Sequence, residues 1–164
     1  MEAEHINSNI LRLKPSASIA MMDKARALKS QGYDVISLAG GEPDFDTPVP
    51  VAEAGIRAIR DGRTHYTAGR GILRLREAIA RKLTQENGVA CDAENILVTP
   101  GGKYAISLTI STLINPGDAV MILDPSWVSY APIVEIAGGV PVSVPLSLTD
   151  NYAITEALLE RYFT

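Results

Sequence analysis

Paired glycines followed by a lysine are the first feature of this sequence that could do chemistry. They form the segment Thr99-Pro100-Gly101-Gly102-Lys103, between a short apolar run and a helix-like stretch. Amides at a helix N-terminus point along the helix dipole and bind anions, and glycines let the backbone approach them. The pattern alone is compatible with a phosphate site or with a simple strand-to-helix turn. It is neither a P-loop nor the GxGxxG dinucleotide fingerprint.

A second feature is the only tryptophan, Trp127, in the segment Asp124-Pro125-Ser126-Trp127-Val128-Ser129-Tyr130. This segment follows an apolar run, and ligands of open α/β sheets bind at the carboxyl ends of strands. An indole there can stack on a planar, electron-poor ring, or it can be a core residue under a loop. Tyr130 has the same two interpretations.

Two further loops have compositions typical of binding segments. Residues 37–48, SLAGGEPDFDTP, join a short apolar run to paired glycines and an acidic turn, and residues 64–71 form a polar, aromatic loop that contains Tyr66. The acidic residues of the first loop alternate with prolines and lack a neighbouring histidine. They are typical of turns and helix caps, so no metal site is predicted.

Composition excludes several classes of function. The chain has 164 residues, a formal net charge of −4 and one cysteine, Cys91. No basic face for nucleic acid, no internal disulfide, no signal peptide and no membrane span are expected, so the sequence predicts a soluble, cytoplasmic protein. The arginines between Arg57 and Arg81 are interpreted mostly as solvated helix faces; the alternative is that one or two of them meet an anion.

The apolar periodicity predicts an α/β fold with a parallel sheet and right-handed crossovers. Helices are predicted from residue 16 or 18 to residue 31 and at 48–60, 72–87, 105–114, 127–137 and 154–164, and strands at 35–38, 96–99, 119–123 and 140–144. Pro132 can shift the start of the helix at 127–137 or bend it. Thr47 is expected to cap the second helix, with Pro48 at its first position. The last three strands alone would leave apolar edges exposed, so the sheet is expected to be incomplete.

The order of these motifs resembles that of class I, fold-type I aminotransferases, the pyridoxal-phosphate enzymes that include the bacterial aspartate aminotransferases. The resemblance runs from about Leu13 to Arg161. It rests on KPSAS, GEPDFDTP, HYTAGRG, the PGGK turn, NPGD, PSWVSY and AGG, all in the family's order. It implies the N-terminal part of the pyridoxal-phosphate-dependent transferase fold, a parallel or mixed sheet with flanking helices.

The resemblance also implies roles for individual residues. Gly101, Gly102 and Lys103 match the turn that holds the cofactor phosphate, and Trp127 matches the residue that stacks on the cofactor ring. Tyr66 matches a tyrosine that reaches the neighbouring subunit's cofactor; its alternative is packing on the next helix. The matches implied for substrate contacts are Gly41, Ser16 and again Lys103, the last through the distal carboxylate of acidic substrates; ordinary helix capping explains Ser16 and Ser18 equally well.

The departures from the family lie in its later motifs. The segment that bonds the cofactor ring oxygen, the aspartate on the pyridine nitrogen, the Schiff-base lysine and the substrate arginine have no match among these residues. The sequence therefore predicts no catalytic residue in this chain. The lysines present are Lys14, Lys24, Lys29, Lys82 and Lys103, all in segments with other assignments.

The predicted function is that of an N-terminal fragment of a pyridoxal-phosphate aminotransferase. The parent is expected to be a homodimer that moves an amino group between aspartate, or a similar amino acid, and a 2-oxo acid, whereas the fragment alone is inactive. Residues 1–46 are expected to form an N-terminal arm and the first segment of a small domain, and 47–164 the first part of a large cofactor domain. Alternatives are a non-catalytic α/β binding or dimerisation module, and a pyridoxal-phosphate lyase or decarboxylase of the same fold.

Overall fold

The computed structural model describes His5 and residues 7–11 and 16–163 of the chain. Its elements are α1 Ser8–Leu11, α2 Ala17–Ser30, α3 Val49–Arg60, α4 Leu73–Glu86, a 3-10 helix Ala93–Asn95, α5 Gly102–Leu113, β1 Ala119–Asp124, α6 Tyr130–Ile136, β2 Val140–Pro145 and α7 Glu156–Tyr162. Residues 1–4 and 6 of the predicted N-terminal arm lie outside the described residues, and α1 is a single helical turn within this arm. None of the described helices combines the length and hydrophobicity needed to cross a bilayer.

The chain divides into two compact units, which are described separately. One unit, here called the sheet unit, comprises the residues up to Gly41 and those from Gly101 onward. The other, here called the α3–α4 unit, comprises residues 42–100. The predicted domain boundary between residues 46 and 47 stays a prediction, because compact units of this chain need not coincide with domains of a longer protein.

The sheet unit is built on a parallel pair of strands. β1 pairs with β2 in the register Ala119↔Val140 through Asp124↔Pro145, and α6 connects the two strands. Val134 of α6 and Val144 of β2 are 2% and 0% exposed, and Ile122 and Ile133 complete the core of this unit. A strand–helix–parallel strand unit is what the sequence pattern predicts, so the α/β fold class is confirmed.

Two of the four predicted strands do not form. Residues 35–38 and 96–99 lie outside any ladder, so the described residues contain a two-stranded sheet rather than three successive strands. Ile36 and Leu38 are 86% and 93% exposed, so no element of the described chain covers these two side chains. Short apolar runs become strands only where a partner strand satisfies their backbone groups.

Three predicted helix starts are wrong in informative ways. Pro48 is the N-cap of α3 rather than its first residue, and Thr47 does not cap it. α5 begins at Gly102 rather than Ala105, so Lys103 lies in its first turn. α6 begins at Tyr130 rather than Trp127, so Pro132 lies in its first turn, where a proline is tolerated; this is the shifted start that Pro132 allows.

The α3–α4 unit contains a buried arginine. Arg76 of α4 is 8% exposed; its Nη1 donates to Ala93 O at 2.6 Å and to Glu94 Oε1 at 3.3 Å. Arg70 Nη1 donates to the other carboxylate oxygen of Glu94 at 2.8 Å. Glu94 therefore bridges two arginines. Arg76 departs from the solvated helix-face interpretation because it is buried, whereas the Arg70 side chain is 47% exposed.

We expect Gly71→Ala to destabilise the chain by at least about 2 kcal/mol. Gly71 has φ +98°, and a Cβ at this position would lie 2.8 Å from Val98 Cβ. Urea unfolding measures the loss. Gly69→Ala is the matched control, because a Cβ there meets nothing within 4 Å. Equal midpoints for the two variants would contradict the close packing of Gly71 on Val98.

Candidate functional site

The N-terminus of α5 has the features of an anion site. Its N-cap, Gly101, has φ +93° and makes no side-chain capping bond, and the first turn contains no acidic residue. Helix geometry leaves the first-turn amides without intrahelical acceptors. A Cβ built on Gly101 or on Gly102 meets nothing within 4 Å, so open space lies in front of this turn. A phosphate group fits both the donors and the space.

Lys103 and Trp127 are adjacent at this place. The Lys103 ammonium lies over the Trp127 ring, with Nζ 4.9 Å from the centroid. The Tyr130 ring meets the indole edge-on, with centroids 5.5 Å apart and an interplanar angle of 88°. Trp127 is 42% exposed, which is not the burial of a core residue. The turn that could hold an anion and the side chain that could stack on a ring therefore form one site.

Asp124 is a residue of this site whose role sequence reasoning missed. It is the last residue of β1, and its Oδ1 accepts a hydrogen bond from Ser126 Oγ at 2.8 Å. Its Oδ2 accepts one from Ser143 Oγ of β2. These two bonds lower the pKa of the Asp124 carboxyl from its ordinary value, and the bond from Ser143 has the larger effect. The spacing Asp-x-Ser could have predicted the bond from Ser126, because the two residues are close in sequence. Nothing in the sequence near Asp124 predicts the bond from Ser143, which lies on another strand.

Two residues predicted to contact substrate also belong to the sheet unit. Ser16 is the N-cap of α2, and its hydroxyl accepts a hydrogen bond from Ile19 N at 3.5 Å. This bond agrees with the capping interpretation of Ser16. Gly41 is exposed, and a Cβ there would meet nothing within 4 Å. The substrate contacts of both residues stay predictions.

Tyr66 belongs to the α3–α4 unit. Its relative exposure is 107%, so its ring does not pack on α4 and the alternative interpretation of this residue is wrong. A tyrosine fully in water has no role in the packing of its own unit. Its action across a dimer interface stays a prediction.

An apolar cleft elsewhere in the sheet unit does not coincide with this site. An apolar cleft of about 410 Å³ lies between α2 and residues 35–39, and its lining includes Met21, Leu28 and Ile36. None of the glycines of the anion turn, Lys103 or Trp127 lines it. The candidate site is therefore defined by charge and ring geometry and not by this cleft. In the described ranges no three acidic, histidine or cysteine side chains cluster as metal ligands.

The comparison with known protein families gives the class of protein. Residues 33–163 match the family described as aminotransferase class I and II. The match spans most of the chain, including the glycine-rich loop, the turn at Gly101 and the segment with Trp127. This chain belongs to that family.

The similar proteins and solved structures are named as aspartate, prephenate or aromatic aminotransferases. A probable aspartate/prephenate aminotransferase of Thermus aquaticus is 46% identical over 97% of this chain, and a bifunctional aminotransferase of Petunia hybrida, named for aspartate and prephenate, is 43% identical. Among solved structures, the aspartate aminotransferase of Thermus thermophilus with maleate superposes with a TM-score of 0.93 at 40% identity and covers all of this chain. An aromatic aminotransferase of Pyrococcus horikoshii has a TM-score of 0.76 at 41% identity, over 85% of this chain.

The chain spans well under half the length of these relatives. It covers 33% of the Petunia protein, 42% of the Thermus aquaticus protein and 42% of the Thermus thermophilus structure. The predicted resemblance to the N-terminal part of an aminotransferase is confirmed, and the family implies pyridoxal phosphate as cofactor.

We expect Ser143→Ala to raise the pKa of Asp124 toward its ordinary value of 3.8, because the Ser143 bond favours the ionised carboxylate most. With a folded-state pKa below the unfolded value, this carboxylate stabilises the fold above that unfolded value and loses its contribution as pH falls through the folded pKa. In the variant the loss therefore begins at a higher pH.

Carbon-13 NMR titration of the Asp124 carboxyl measures this shift. Ser147→Ala is the matched control, because Ser147 Oγ bonds Thr149 Oγ1 and not Asp124. An unchanged Asp124 pKa in Ser143→Ala would show that the bond to Ser143 does not hold the carboxylate.

Proposed function

We propose that this chain is the N-terminal part, with the cofactor-phosphate turn, of a pyridoxal-phosphate aminotransferase that moves an amino group between aspartate, or a similar amino acid, and a 2-oxo acid. The observation that carries the proposal is the Lys103 ammonium over the Trp127 ring at the start of α5. It puts a cation, the N-terminal amides of a helix and a stacking surface at one place. A phosphate attached to a planar heterocycle matches all three.

The phosphate part of the proposal follows from electrostatics. A cation in the first turn of a helix faces the positive end of the dipole, which is unfavourable unless an anion is bound nearby. Lys103 occupies that position in α5, and no acid of the first turn offsets it. Gly101 and Gly102 would present their backbone to the phosphate, and Lys103 would add a charge-assisted bond.

The ring part of the proposal rests on Trp127. Its half-exposed indole would cover one face of the cofactor ring and exclude water from it. The bound cofactor supplies the conjugated ring that accepts electrons during amino transfer. Within this chain the residues bind and shield; the five lysines have other assignments, so we propose that the chain alone does not catalyse transamination.

The substrate assignment uses the printed names of the relatives. They name aspartate and prephenate, and the Thermus thermophilus structure holds maleate, a dicarboxylate. We assign Lys103 to the distal carboxylate of an aspartate-like substrate, and Gly41 and Ser16 to substrate contacts. An ammonium on a flexible stem can serve a phosphate and a nearby carboxylate from the same position.

The exposure of Tyr66 supports the proposal that the protein is a homodimer. A fully exposed tyrosine in a loop fits a role at a homodimer interface, where it would reach the partner's cofactor phosphate. We propose that residues 1–46 open the small domain and residues 47–164 the large cofactor domain. A cytoplasmic location is proposed on the same relatives.

Titration of the chain with pyridoxal phosphate and with pyridoxal tests the function. Trp127 is the only tryptophan, so its emission reports a ring stacked on it. We expect pyridoxal phosphate to quench the emission saturably and pyridoxal, which lacks the phosphate, to bind at least about tenfold more weakly. Equal, weak quenching by both compounds would refute the phosphate site.

We expect Lys103→Ala to weaken the binding of pyridoxal phosphate about tenfold, because a charge-assisted hydrogen bond contributes about 1.5–3 kcal/mol. Equilibrium dialysis measures the affinity without relying on Trp127 emission, which the substitution itself alters. Lys82→Ala is the matched control, because Lys82 pairs with Glu86 and Asn87 in the α3–α4 unit. An affinity unchanged in Lys103→Ala would remove Lys103 from the site.

A further inference from the structure

The Trp127 ring cannot be held in place by burial alone. It is 42% exposed, and its described ring partners are the flexible Lys103 side chain and the edge of Tyr130. A ring on which a ligand must stack needs a fixed plane, because each lost degree of freedom on binding costs affinity. The loop that contains Trp127 must therefore also restrict the motion of the ring.

The loop is attached at both of its ends. On one side, Trp127 O accepts a hydrogen bond from Tyr130 N at 3.1 Å, which ties the loop to the start of α6. On the other side, Ser126, the residue directly before Trp127, donates its hydroxyl to Asp124 Oδ1 at 2.8 Å. The second oxygen of the same carboxylate accepts from Ser143 of β2.

We propose that Asp124 is the positioning residue of Trp127: its carboxylate joins Ser126 to Ser143 and so fixes the indole plane on which the cofactor ring stacks. This inference rests on the proposed function. In this role Asp124 acts through the loop that contains Trp127. A carboxylate suits the task because its two oxygens accept separate bonds, and bonds to an ionised acceptor are stronger than neutral ones.

The first test measures the order of the ring without any ligand. Acrylamide quenching of Trp127 is expected to become about twofold more efficient in Ser126→Ala and in Asp124→Ala. Ser126→Ala keeps the carboxylate and the sheet, so it remains informative if Asp124→Ala does not fold. Ser147→Ala is the control, because its hydroxyl bonds Thr149 outside this loop. A wild-type quenching constant in Ser126→Ala would overturn the proposal.

The second test asks whether the effect reaches the ligand through Trp127. We expect Ser126→Ala to weaken the binding of pyridoxal phosphate about threefold, as measured by equilibrium dialysis, and to cause no further loss in a Trp127→Ala background. The same threefold loss in both backgrounds would show that the carboxylate acts by another route and would overturn the proposal. Far-UV circular dichroism and the urea midpoint should match wild type in Ser126→Ala.

The two tests separate this inference from the function on which it rests. A wild-type chain that does not bind pyridoxal phosphate refutes the proposed function. The quenching comparison contains no ligand, so it still decides whether Asp124 orders the Trp127 loop.

Discussion

The parallel pairing of β1 with β2 is the constraint on which the site depends. Parallel strands cannot be joined by a tight turn, so the chain must leave the carboxyl end of β1, cross over and return. The crossover here is a short loop followed by α6, whose Val134 packs into the core. The loop begins at the sheet edge, and that is where Trp127 lies. The register then brings Ser143 of β2 within reach of Asp124 at the end of β1.

The two compact units differ in how a positively charged side chain is paired. In the α3–α4 unit, Arg76 is buried, and Glu94 and the Ala93 carbonyl satisfy its guanidinium. A buried charge without such partners would cost several kcal/mol (about 3–5). In the sheet unit, Lys103 remains beside an aromatic face at the positive end of α5. The first arrangement is complete within the chain, whereas the second leaves a cation available to a ligand.

The chain exposes apolar surface, which is consistent with its covering only part of the length of its relatives. Residues 35–38 form an exposed apolar segment without a strand partner, and several apolar residues of α3 are exposed, among them Val49 and Ile59. Monomeric proteins rarely leave such surface open to water. Because the chain covers 42% of the Thermus thermophilus structure, most of the relatives' residues have no counterpart in it.

The sequence by itself determined the family, the α/β class and the turn at Gly101, because these depend on local chemistry: glycines, a lysine and a tryptophan at fixed spacing. It also predicted the extents of α4 and of both strands to within one residue, since apolar periodicity is strong there. It did not determine which apolar runs become strands, because pairing depends on a partner distant in sequence; residues 35–38 and 96–99 illustrate this. Only the tertiary structure placed Lys103 over Trp127, joined Asp124 to Ser143 and buried Arg76 against Glu94. These contacts join segments that only the crossover and the strand register bring together.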